Sequence, residues 1–135
     1  MSTRSMIGAL QADGTVRAVY CHADGYPAGV GATLAQRYST GPRVAALLDL
    51  GDLSGLGVVP ALCVAYGRDR GETGTDARCY SGPAEFWADA VGPDAVGPFA
   101  YLFCPSSGWW ARCDRTPGTD APLLLVLEQT AAAGA

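Results

Sequence analysis

His22 is the only histidine in the chain, and it lies in the run Tyr20-Cys21-His22-Ala23-Asp24-Gly25-Tyr26-Pro27 beside a thiol, a carboxylate and two phenols. An imidazole can carry protons at neutral pH, an ionised thiol can attack, and an imidazole with a carboxylate can begin a metal site. Spacing decides among these. Side chains alternate along an extended segment, so His22 and Asp24 share a face while Cys21 points the other way. A Cys21–His22 pair of nucleophile and base is therefore disfavoured. A thiol dyad would need Cys63, Cys79, Cys104 or Cys113 to reach His22. A metal would need a third ligand from elsewhere, and no spacing in the sequence supplies one, so no metal or other cofactor is expected.

The run is better equipped to hold an anion. Asp13-Gly14 marks a hairpin turn, and pairing symmetric about residues 12 and 13 would set Arg4 near His22. A guanidinium there offers a planar donor fork suited to phosphate or carboxylate. Arg4, Tyr20, His22, Asp24 and Tyr26 then form a candidate binding set for a small nucleotide-like anion, with a ring to stack and Asp24 to take hydroxyls or amines. A purely structural role competes with it: Asp24 capping the following turn, His22 bonded to backbone, and both tyrosines in the core. An amino-terminal Ser2 nucleophile is a weaker idea, since no oxyanion donors can be identified. The chain has no phosphate-binding Gly-x-x-x-x-Gly-Lys loop, no Gly-x-Ser-x-Gly elbow and no His-Glu-x-x-His helix.

These residues need a scaffold. Segments 4–10 and 15–21 read as an amino-terminal β-hairpin. Asp-Gly-Tyr-Pro then turns the chain into a helix over 28–38, whose stripe of Val30, Leu34 and Tyr38 should face the sheet rather than a cofactor. Ser39-Thr40-Gly41-Pro42 opens a second helix burying Val44, Leu47 and Leu48, stopped by Gly51. The stretch 52–57 reads as a turn laying its leucines on the core, and 58–66 as a third strand restricted at its start by Pro60. Residues 67–77 mix charges with glycine and read as a solvated loop or a lid over a site. Pro83 and Glu85 favour a helix to about Val91, with Phe86 and Ala90 inward and Trp87 at the edge. Segments 99–104, 109–113 and 123–128 are further strands, the first two joined by Pro-Ser-Ser-Gly. Trp109 and Trp110 fall on opposite faces, one in the core and the other a candidate interface residue. Strands at both ends with helices between them predict an α+β domain with a mainly antiparallel sheet and two to three short helices.

A chain of 135 residues suits one domain, here 1–129, with a flexible tail over 130–135. Apolar residues make up 49% and charged residues 16%, an ordinary globular balance. The formal net charge of −4, with arginine as the only cation type, disfavours general nucleic-acid binding. No apolar stretch has the length of a membrane span. Five cysteines without a Cys-x-x-Cys pair, and no signal peptide before them, predict reduced thiols in a cytoplasm.

The segment Ser2-Thr3-Arg4-Ser5-Met6-Ile7-Gly8, the Asp-Gly hairpin, and Tyr20-Cys21-His22-x-Asp24-Gly25-Tyr26-Pro27 with Val30-Gly31 resemble a family of small uncharacterised phage and prophage proteins. The similarity covers about the first quarter of the chain, with looser likeness at 50–57 and Trp109-Trp110. Where that family often carries tryptophan, this chain has Ala23, which removes one stacking surface. The resemblance implies a phage-type accessory protein, with an anti-defence role as one setting. The expectation is thus a non-enzymatic protein that binds a small anion or a host protein, as a homo-oligomer in the host cytoplasm. The alternative is a small hydrolase or transferase centred on His22 with a cysteine or Asp24.

Overall fold

The computed structural model describes residues 2–91, 95–113, 121–123 and 126–127. Strands β1 (Ser5–Leu10) and β2 (Val16–Cys21) form the expected antiparallel hairpin, with Ser5 opposite Cys21 and Leu10 opposite Val16. Its turn is tied by Asp13, whose carboxylate accepts from the Thr15 backbone N–H at 3.0 Å and from the Thr15 hydroxyl at 2.6 Å. A second hairpin, β6 (Phe99–Cys104) and β7 (Gly108–Cys113), was also legible and lies alongside the first.

The two hairpins meet through β1 and β6, which run parallel from Ser5 opposite Phe99 to Ala9 opposite Phe103. A second parallel contact joins β2 to β3 (Leu53–Gly55). The fold is α+β as expected, and the sheet is mixed rather than simply antiparallel. Its order is β4-β3-β2-β1-β6-β7-β8, where β4 is Val64–Ala65 and β8 is Ala121–Pro122. Strand β5 (Arg78–Tyr80) shares the outer edge of β2 with β3, taking residues 16–18 while β3 takes Cys21.

Helices cover both faces. On one side a π-helical turn at Pro27–Gly31 continues into α1 (Ala32–Arg37), followed by α2 (Gly41–Leu48). Thr40 caps α2 by accepting from the Arg43 N–H, and Val44, Leu47 and Leu48 are buried as the pattern predicted. Val30, Leu34 and Tyr38 join Ile7, Val19, Cys21, Tyr101 and Phe103 in this core. On the other side α4 (Pro83–Ala90) sets Phe86, Trp87 and Ala90 on Met6, Val16, Ala18, Ala100 and Leu102. Trp87 is buried, not at the edge. Gly8 makes this contact possible, since a Cβ there would stand 3.0 Å from the Phe86 ring.

Three expectations are corrected. The third strand over 58–66 is only Val64–Ala65: Pro60 opens a 3-10 turn to Leu62, and Val58, Val59, Leu62 and Val64 stay exposed. The apolar run is real but is not a buried ladder, because proline lacks the N–H a central strand needs. The stretch 67–77 is not simply a loop, since helix α3 (Tyr66–Arg70) occupies its start, ended by left-handed Gly71. The strand expected over 123–128 is replaced by the short β8, with Leu123, Val126 and Leu127 helical. The tail over 130–135 lies outside the described residues. Among the described residues, no helix is long and apolar enough to cross a membrane.

Candidate functional site

Alternation along β2 sends Tyr20 and Cys21 to opposite faces. Cys21 is buried in the α1/α2 core, where its thiol donates to the Ala23 carbonyl at 3.7 Å. Burial pushes that thiol up to about 12, which removes it as a nucleophile at neutral pH. Tyr20 is half-buried against the α4 core and bonds to His22 Nδ1 at 2.6 Å, with the two rings tilted at a centroid distance of 6.0 Å. The phenol O–H can donate to Nδ1 of the neutral imidazole, which then carries its proton on Nε2, or accept from Nδ1 of the imidazolium. His22 thus bonds a phenol, where the structural reading expected backbone.

The hairpin register is centred on residue 13, one residue away from the expected symmetry about residues 12 and 13. One step beyond the Ser5–Cys21 pair, the register brings Arg4 across from His22, and its positive charge lowers the Tyr20 pKa against the larger upward push of burial. Gly25 fixes this approach: its N–H donates to the Thr3 carbonyl at 2.8 Å, and a Cβ there would lie 2.8 Å from the same oxygen. Only glycine lets the turn rest on the Thr3-Arg4 backbone. Among the described residues, the Arg4 side chain makes no hydrogen bond or ion pair, and it is exposed.

Residues that the sequence did not single out complete this face. Asp52 stands on the β2 edge between β3 and β5, where its Oδ1 accepts the Tyr20 N–H at 2.9 Å. Its carboxylate also pairs with Arg78 at 3.3 Å. One buried carboxylate thereby satisfies a backbone donor that no strand reaches and anchors a cation. Tyr66 and Asp52 both lie close enough to the Tyr20 phenol to raise its pKa. Beside Tyr66, the Arg70 guanidinium sits 5.2 Å from the ring centroid and donates to Ser54 Oγ at 3.3 Å. Tyr20 packs on the α4 side of the sheet, Arg78 reaches Met6 there at 3.6 Å, Arg4 and Tyr66 lie near enough to act on the Tyr20 phenol, and Arg70 sits beside Tyr66. Arg68 does not join them, because it is engaged by Asp69 and the carbonyls of Pro60 and Cys63. The sequence signal for Asp52 and Ser54 was the alternation around Leu53, hidden among glycines. For Arg78 it was the alternation Arg78-Cys79-Tyr80.

Asp24 and Tyr26 go elsewhere. Asp24 adopts φ 57°, and β2 ends at Cys21, so the extended alternation that implied a shared face for His22 and Asp24 does not continue to Asp24. Its carbonyl accepts the Val30 N–H at 2.8 Å, but its side chain caps nothing, and the turn at Pro27–Gly31 has no side-chain cap. Both residues line a cleft of about 220 Å³ that includes none of Arg4, Tyr20 and His22. Of the five candidate residues, the structure brings three together and sets two apart. Trp109 is in the core and Trp110 is half-buried with its indole N–H donating to the Ser107 hydroxyl, and among the described residues the exposed large apolar side chains are Val58, Val59, Leu62 and Val64, with Tyr26. No group of three His, Cys, Asp or Glu side chains is placed to hold a metal ion among the described residues. Compared with protein families, curated proteins and solved structures, the chain matches none.

Proposed function

We propose that the protein binds a small nucleotide-like anion on the face formed by Arg4, Tyr20, His22, Tyr66 and Arg70, without turning it over. The observation that carries this reading is Arg4: an exposed guanidinium without an ion-pair partner among the described residues, held beside a phenol–imidazole pair in a chain of net charge −4. An unpaired fork of donors is what a phosphate oxygen pair requires, and the rings of Tyr20 and Tyr66 offer stacking surfaces. Binding is favoured over catalysis because the partner of His22 is a phenol rather than a thiol, and Asp24 lines a different cleft. In the setting suggested by the phage-protein resemblance, this is sequestration of a nucleotide signal by an anti-defence accessory protein. The exposed Val58, Val59, Leu62 and Val64 favour a second reading, contact with a host protein.

Isothermal titration with adenosine monophosphate and with inorganic phosphate tests the first reading. Saturable binding that weakens with added salt is expected, with the nucleotide unchanged by mass spectrometry after incubation. Absence of binding by both probes would remove it, and conversion of the nucleotide would replace it with the hydrolase or transferase alternative.

A further inference from the structure

We propose that the cleft lined by Ala23, Asp24, Tyr26, Thr33, Gly55 and Leu56 is a second binding site, for a small organic cation of the alkylammonium class. Its volume of about 220 Å³ suits a ligand of a few heavy atoms rather than a nucleotide. Asp24 supplies the only charge among its lining residues, all of them described, and no basic side chain lines it. The Asp24 carboxylate is exposed, with no hydrogen bond or ion pair from any described side chain. Its charge adds to the burial that holds the Cys21 thiol in the protonated form.

The usual local uses of an Asp at this point are absent. The residue stands three before the start of the π-helical turn at Pro27, and the Val30 N–H goes to its backbone carbonyl rather than to its carboxylate. The side chain is therefore left facing a cleft instead of closing a turn. Tyr26 is 43% exposed and lines the same cleft, offering a ring face of the kind that attracts an ammonium group. Thr33 adds a hydroxyl from the first turn of α1, and Leu56 supplies apolar surface for a short alkyl chain. A carboxylate, an accessible phenol ring and one hydroxyl in a mainly polar lining, with Leu56 for a short alkyl chain, match a small alkylammonium. They do not match a phosphate, which Asp24 would repel. The site stands independently of the anion-binding face, since no residue is common to the two.

The test is a ¹H–¹⁵N NMR titration with n-propylammonium chloride, with n-propanol and sodium chloride as matched controls. Saturable shifts of the Gly25, Gly29, Val30 and Gly55 amides with the ammonium alone are expected. Asp24→Asn should weaken this binding at least tenfold, while asparagine still tolerates the left-handed backbone and keeps the melting temperature near wild type. Tyr26→Leu should weaken it about threefold and provides a second variant should Asp24→Asn misfold. Equal shifts with propanol, unchanged affinity in both variants, or no saturable shift would overturn the proposal.

Discussion

Two halves of one eight-residue run meet different fates. Tyr20 belongs to β2 and His22 directly follows its last residue, bonded to the Tyr20 phenol, while the hairpin register carries Arg4 to this end of the strand. Asp24 and Tyr26 belong to the turn, where a single left-handed residue reorients everything after it. Strand side chains thus inherit their positions from long-range pairing, and turn side chains from one dihedral angle. Sequence proximity joined the two halves into one site, and backbone geometry divides them into two.

The largest expected effect separates the halves by binding. Arg4→Ala should weaken adenosine monophosphate binding by tenfold or more, equivalent to about 1.4 kcal/mol per decade. Arg70→Ala should act in the same direction, whereas Tyr26→Leu should leave it within twofold. Calorimetric titration of the three variants checks this. If Tyr26→Leu matched Arg4→Ala, the two halves would have to be reunited.

Next in size is a stability effect on the strand half. Asp52→Ala strips the acceptor from the Tyr20 N–H, for which about 1–3 kcal/mol is expected from the unpaired buried donor. Loss of the Arg78 pair adds little, because that guanidinium is 44% exposed. A melting temperature several degrees lower than wild type checks it.

A smaller cost is expected where the turn half is held down. The Tyr101 hydroxyl donates to the Gly25 carbonyl at 2.7 Å inside the core. Tyr101→Phe should cost roughly 1–2 kcal/mol in denaturant unfolding while anion binding persists in the folded protein.

The pH dependence concerns the buried groups that neither half uses. Burial raises the folded-state pKa of Cys21 to about 12 from 9.0, and it also raises Tyr38, Tyr80 and Tyr101. Above pH 9 the unfolded chain releases these protons while the folded chain keeps them, so folding stability is full below pH 9 and falls as pH rises. Urea unfolding between pH 8 and 11 should show that decline. Cys21→Ala should flatten its first part, between pH 9 and 10, and the tyrosine part should remain.

Much of this fold was legible because its signals are local. Asp13-Gly14 announced the first hairpin, Pro-Ser-Ser-Gly the second, Thr40 with Pro42 the start of α2, and Pro83 with Glu85 the start of α4. What stayed hidden was pairing between distant segments: β1 beside β6, and β3 and β5 sharing the edge of β2. No local pattern encodes which strands become neighbours across some 90 residues. The run Val58-Val59 with Leu62 and Val64 misled for a different reason, since apolar character does not by itself produce burial. The Asp13-Gly14 turn showed that Arg4 returns close to residues 21 and 22, but the register came out one residue away from the expected symmetry. Arg70, Arg78 and Asp52 could not be placed in this way, because Arg78 lies on the three-residue β5, Asp52 directly precedes the three-residue β3 and Arg70 ends the short helix α3.

The central claim is that the anion is held by the strand half through Arg4 and not by the turn half through Asp24. The most direct measurement is the affinity of adenosine monophosphate for wild type, Arg4→Ala and Asp24→Asn, side by side at fixed ionic strength. Binding lost in Arg4→Ala and retained in Asp24→Asn is the predicted result. Binding untouched by Arg4→Ala, or abolished by Asp24→Asn in a folded protein, would contradict it.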